Sequence, residues 1–213
     1  MFRDRTEAGK KLTLKLKADL ATKGWGKAVV LAIPRGGVAV GKEISEAFKL
    51  PFDCLIIKKI PAPENEELAI GAVGEGGVVI WEDRLCRDLG VPVEYKQEIV
   101  RKKVDEFEKK ENDFRRGRSI PEIKGRTVII ADDGIATGAT AKAAVAVVRN
   151  FNPKEVVIAV PVIAADSLPE IKRLADKVIY LEAPEMFFSV DQFYQDFRQL
   201  TDEEARKILN SKQ

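Results

Sequence analysis

Apolar positions along this chain fall into two patterns. In one they run together: AVVLAI (28–33), FDCLIIKK (52–59), TVIIADD (127–133), EVVIAVPV (155–162) and KVIYLE (177–182) each hold a short apolar stretch. Such runs, bounded by turn residues, predict strands, AVVLAI being one buried on both faces. In the other pattern apolar residues recur every three or four positions. Ala8, Leu12 and Leu16 predict an N-terminal helix with Gly24 as its stop. Further helices are predicted over 38–49, 139–150 and around 167–175, and Thr201 with Glu204 has the capping-box spacing that starts a last short one. Strands alternating with helices predict an α/β fold, with a mostly parallel sheet flanked by helices.

Other stretches depart from this rhythm. KIPAPENEELAIGAVGEGG (59–77) is rich in Pro, Gly and Glu and reads as a long loop holding a short hairpin, with VVIW (78–81) as a return strand. The segment 183–200 also stands apart. Over 93–118, Val100, Val104, Phe107 and Phe114 form a narrow stripe in an otherwise charged helix. That predicts an amphipathic helix lying over the core, with a homodimer or partner-helix contact as the alternative. RRGR (115–118) reads as a solvated helix end, favoured by the macrodipole.

Composition acts mainly by exclusion. With 36 basic and 34 acidic residues the net charge is +2, too balanced for an electrostatic nucleic-acid binder. The longest apolar run (156–165) is too short to span a bilayer and contains a proline, so no membrane partner is expected. MFRDRTEAGKK lacks the apolar stretch of a signal sequence. Cys54 and Cys86 form no CxxC, the pattern of two reduced thiols in a cytoplasmic protein. There is no histidine, which excludes Ser-His and Cys-His catalysis and argues against zinc. At 213 residues, one elaborated domain over 1–213 is expected.

Chemistry enters with VIIADDGIATGAT (128–140). Two adjacent aspartates end a buried strand, where a carboxylate pair is costly unless something binds it. In an open α/β sheet ligands sit at the carboxyl ends of strands. Gly134, Ile135, Ala136, Thr137, Gly138, Ala139 and Thr140 then lead into a helix, whose free N–H groups and dipole favour an anion. Small residues admit close approach, and carboxylates accept hydrogen bonds from hydroxyls. A diol reader beside a phosphate cradle fits a sugar phosphate. No lysine follows Gly138 as a Walker A loop requires, and no GxGxxG is present.

These residues resemble the phosphoribosyl pyrophosphate (PRPP) motif of type I phosphoribosyltransferases. AIPRGGVAVG resembles the pyrophosphate loop of the same enzymes, and the element order is similar over about 28–182. LAIGAVGEGG and FFSVDQFYQDF are similar to segments of uncharacterised members. The resemblance implies that Asp132 and Asp133 hold the ribose hydroxyls, 134–140 the 5′-phosphate, and Arg35, Gly36 and Gly37 the pyrophosphate. Lys58 or Lys59 would help cover it, and Mg²⁺ would arrive with PRPP, with Asp132 or Asp133 contacting it through water. Such enzymes often have a cis peptide at the position of Pro34–Arg35. The 59–77 segment would be a lid, or else a mobile surface loop.

The acceptor site would lie under a hood made by the N-terminal helix and 183–213. Phe187, Phe188, Phe193, Tyr194 and Phe197 cluster there; Phe187, Phe188 and Tyr194 are candidates for stacking on a planar base, and packing of the tail onto the sheet is the favoured alternative. Hypoxanthine-guanine enzymes carry an aspartate where this chain has Ala136, so no residue here answers to their purine-specific role. The function implied is Mg²⁺-dependent transfer of phosphoribose from PRPP to a small nitrogenous acceptor, foremost a nucleobase. A non-catalytic PRPP-sensing regulator on the same fold is the alternative.

Overall fold

The computed structural model describes residues 1–20 and 27–211; Gly24, the expected helix stop, lies outside them. In chain order the elements are α1 (Arg5–Leu20), β1 (Ala28–Ala32), α2 (Gly37–Phe48), β2 (Phe52–Cys54), β3 (Ile57–Ala62), β4 (Asn65–Gly74), β5 (Val78–Trp81), α3 (Asp83–Asp88), α4 (Val93–Arg115), β6 (Thr127–Ala131), α5 (Ala139–Arg149), β7 (Glu155–Val162), α6 (Leu168–Leu174), β8 (Lys177–Glu182) and α7 (Asp202–Asn210).

The predicted α/β architecture is present. Five strands form a parallel sheet in the order β2-β1-β6-β7-β8. Val30, Ile129 and Val157 stand in register and share one face with Leu12 and Leu16 of α1 and Ile44 of α2. Their neighbours Leu31, Ile130 and Ile158 turn to the other face, against Val145 and Val148 of α5 and Ile171 of α6. Alternation within a continuous apolar run thus feeds two core layers, so these strands carry no polar stripe. From β1 the chain goes to β2 on one side and later to β6 on the other. The strand order therefore reverses between β1 and β6, the place where such sheets leave a crevice at their carboxyl ends.

The segment 59–77 is not a loop. β3, β4 and β5 form a three-stranded antiparallel sheet, with Ile60, Ile70 and Val73 fully buried. The predicted strand over 52–59 is accordingly split, since β2 ends at Cys54 and Ile57 begins β3. Helix α4 lies along this small sheet with Phe107 and Phe114 buried, and Tyr95 Oη donates to Pro61 O at 2.9 Å.

RRGR needs a correction as well, because Arg115 is not solvated. It is 1% exposed, and its guanidinium donates to both Glu75 oxygens at 2.6 and 2.7 Å and to Cys54 O at 2.7 Å. Asp53 lies 3.5 Å away, and Glu75 Oε1 also accepts from Ile56 N. This cluster joins the end of α4, the turn after β4 and the end of β2. Burial pushes the Glu75 carboxyl above its ordinary value despite Arg115.

Residues at the start of the chain pack against the segment before α7. Phe2 N donates to Phe193 O at 2.7 Å, Gln195 N donates to Phe2 O at 2.8 Å, and the Phe2 and Tyr194 rings are tilted against each other. Thr201 and Glu204 form the expected capping box of α7. Cys54 and Cys86 are buried and free. No described helix is long and apolar enough to cross a membrane.

Candidate active site

The turn after β1 and the loop after β6 are in contact at the switch point. A Cβ on Gly36 would lie 1.8 Å from Asp133 Oδ2, and one on Gly37 would lie 2.7 Å from Ala131 O and 2.8 Å from the Asp132 Cα. Glycine is needed at both positions because the PRGG turn lies flat against the two aspartates. The Pro34–Arg35 peptide is cis.

Asp133 is held from several directions. Arg5 Nε donates to its Oδ2 at 2.6 Å, and Tyr194 Oη donates to its backbone carbonyl at 2.6 Å. Its own N–H donates to Asp132 Oδ1 at 2.9 Å. Arg5 in turn donates to Arg198 O and lies over the Phe197 ring, 3.8 Å from its centroid. Burial, and then the charge of Asp133, push the Asp132 carboxyl well above its ordinary value. Nothing in the local sequence marked Arg5, which stands 128 residues from Asp133.

Beyond the aspartates the loop divides its work. Ile135 buries its side chain, and its backbone extends the edge of β7 through Val162 O and Ala164 N. Ser167 Oγ donates to Ala136 O at 2.5 Å and so pins the loop from α6's entry. Gly138, at φ 75°, turns the chain into α5 and has no side chain to cap it. Ala139 N reaches Thr137 Oγ1 at 3.5 Å, and the start of α5 borders an indentation of about 200 Å³ lined by Asp132, Gly134 to Ala141 and Val190. Thr137 is exposed, while Thr140 is half-buried and borders a second cavity.

That second cavity, of about 220 Å³, is bordered by Arg35, Lys58, Lys110, Thr140 and the segments flanking β1 and β3. Lys58 reaches it from β3, with Nζ 3.8 Å from Glu106. Lys59 does not border it: successive strand residues face opposite ways, and Lys59 is exposed on the groove beside α5. Sequence reasoning missed Lys110, which lies in the charged run of α4.

A third cavity, about 560 Å³, opens beside Asp133 and Gly36 and is bordered by Arg5, Ser189, Val190 and Phe197. The aromatic candidates separate around it. Tyr194 is only 5% exposed and its hydroxyl is engaged with Asp133, so it has no free face for stacking. Phe187 packs against Phe193 with centroids 5.1 Å apart, and Phe188 is 83% exposed.

The switch point of the parallel sheet thus brings together a paired-aspartate loop, a helix start and a cation-lined cavity. The chain belongs to the phosphoribosyl transferase domain family, whose sequence profile matches residues 5–198. Two Mycobacterium tuberculosis proteins, "Putative phosphoribosyl transferase MT0597" and "Putative phosphoribosyl transferase Rv0571c", are each 40% identical to it over 211 residues. The alignment covers 99% of this chain and 46% of each relative, so the chain spans just under half the length of these proteins. The crystal structure of TT1426 from Thermus thermophilus is 37% identical, with a TM-score of 0.87 over 98% of this chain and 97% of that one. AQ2163 from Aquifex aeolicus, at 14% identity and a TM-score of 0.52 over 84% of this chain and 74% of its own, shares the fold alone.

Proposed function

We propose that this chain transfers the 5-phosphoribosyl group from PRPP to a small nitrogenous acceptor, a nucleobase, and releases pyrophosphate. The contact between Gly36 and Asp133 carries this reading, since it sets a pyrophosphate turn directly against a diol reader. In this reading Asp132 and Asp133 accept hydrogen bonds from the ribose 2′- and 3′-hydroxyls. The loop 134–140 and the start of α5 take the 5′-phosphate. Arg35 and Lys58, with the backbone of Gly36 and Gly37, take the diphosphate as negative charge builds on it, while positive charge builds on the ribose ring. No covalent nucleophile is needed, in keeping with a chain that lacks histidine.

Two adjacent carboxylates fit a hydrated magnesium ion brought in by the diphosphate. Asp132 or Asp133 would hold it through water, and when bound it would offset charge on the leaving group. Tyr194 positions Asp133 rather than stacking on the acceptor. Phe187 and Phe188 remain the candidates for a stacking face on the hood, with Phe197 beside the third cavity. The paired, anchored strands of 59–77 support a fixed wall at this site rather than a wholesale lid.

The test is pyrophosphate release from PRPP and magnesium with each common purine and pyrimidine base, beside an Asp133→Asn control. Release that needs one base and collapses in the variant is the expected result. PRPP bound but consumed with no base would replace the transferase reading with a sensor.

A further inference from the structure

Lys110 lies on the cation-lined cavity with Arg35 and Lys58, yet its present partner is not a ligand. Its ammonium is 2.5 Å from Asp202 Oδ2, at the first position of α7, and lies 4.9 Å from the Phe114 ring centroid. The second oxygen, Asp202 Oδ1, is 4.0 Å from Arg35 Nη1. That oxygen is shielded from solvent and accepts no hydrogen bond among the described residues. One carboxylate is therefore shared by two of the three cations that border the cavity, and is itself poorly satisfied by them.

We propose that Lys110 is a third diphosphate-binding residue and that Asp202 is a built-in surrogate anion, which holds Lys110 and Arg35 until a diphosphate takes them over. The proposal rests on the phosphoribosyl-transfer reading. A diphosphate carries more charge and more acceptor oxygens than one carboxylate, so it wins both cations. Lysine, a flexible point charge, can swing between the two partners. Asp202 is not stranded by the exchange, because the first turn of α7 stabilises a negative charge at that position. The state of the cavity is thereby coupled to α7.

The exchange can be followed by calorimetric titration of pyrophosphate with magnesium, and separately of ribose 5-phosphate, into the wild type, Lys110→Met, Asp202→Asn and the double variant. Lys110→Met should weaken pyrophosphate by roughly tenfold or more, the loss of a charge-assisted contact. It should leave ribose 5-phosphate, which carries no diphosphate, unchanged. Asp202→Asn should tighten pyrophosphate several-fold. The double variant removes both charges, so it should melt like the wild type while keeping the pyrophosphate defect.

Wild-type affinity for pyrophosphate in both Lys110 variants would overturn the assignment of Lys110. Unaltered affinity in Asp202→Asn would overturn the surrogate role. A wild type that binds ribose 5-phosphate but no pyrophosphate overturns this proposal alone. One that binds neither overturns the transferase reading beneath it.

Discussion

Arg115 and Arg5 each hold a carboxylate at 2.6 Å, but in unlike surroundings. Arg115 is 1% exposed and divides its donors among Glu75, Glu111 and the Cys54 carbonyl. The side chains of Arg5 and Asp133 are 10% and 14% exposed, beside a glycine turn and an open cavity. The first group is a clamp: the pairing of its terminal nitrogens offsets much of its desolvation, and removing one partner leaves the other's charge buried. The second leaves carboxylate oxygens within reach of a ligand. Distance alone does not tell the two pairs apart; what borders each does.

The sharpest way to break this contrast is Arg115→Met. It leaves Glu75 and Asp53 without their cation and should cost about 3–5 kcal/mol. The loss would appear as a lower urea midpoint at unchanged slope, and a loss under about 1 kcal/mol would show that Arg115 clamps nothing. Gly36→Ala attacks the other group. Its methyl cannot coexist with Asp133 Oδ2 where it stands. We expect kcat/KM for PRPP to fall by roughly 100-fold, the usual scale for misplacing a reacting group by about 1 Å, with a stability loss of about 1–3 kcal/mol from the displaced Arg5–Asp133 contact.

Arg5→Met is milder for the fold, at about 1–3 kcal/mol, and it tests the link to titration. The Asp132 carboxyl is raised above its ordinary value. Between those two values the folded protein holds a proton that the unfolded chain has released, so the site costs stability at higher pH and acid relieves it. Under the proposed function activity runs the other way, because accepting the ribose hydroxyls would require the carboxylate. The acid limb of kcat/KM should therefore lie above the usual carboxylate range. Arg5 is among the groups that pull Asp132 down, so Arg5→Met should move that limb to higher pH. A limb that stays put in the variant would mean Arg5 only fastens the hood.

The parallel sheet was legible because its central strands β1, β6 and β7 are buried on both faces, and a continuous apolar run bounded by turn residues is the direct mark of such burial. β7 and β8 match the expected runs, and so does the paired-aspartate loop at the end of β6. The small sheet was hidden by its glycines. A Cβ on Gly74 would meet Val147 Cγ2 at 2.5 Å, and one on Gly71 would meet Ile80 O at 2.5 Å. In β4, glycine signals close packing, yet in sequence it looks like a loop. The ion partners were hidden for another reason. Arg115 and Glu75 are 40 residues apart and Lys110 and Asp202 are 92 apart; Arg115, Lys110 and Asp202 lie in charged runs where a buried or committed charge looks like any other, and Glu75 stands alone in a glycine-rich stretch. Between Lys58 and Lys59 the choice depended on the strand's phase at the cavity, which only the split between β2 and β3 supplies.

The pairing of Phe2 and Arg5 with residues 193–198 bears on how the site is made. Arg5 and the Arg198 carbonyl are 193 residues apart, so the two halves of this contact leave the ribosome at well-separated times. Domains begin to fold as they are synthesised, so the parallel sheet can form while Asp133 still lacks Tyr194. A released chain that ended before residue 193 would own the sheet, the aspartates and the glycine turn, but neither the tyrosine nor the segment that steadies Arg5. Completion of the site therefore waits on synthesis through residue 198, and a product cut short of it would be folded at its centre and unfinished where it counts.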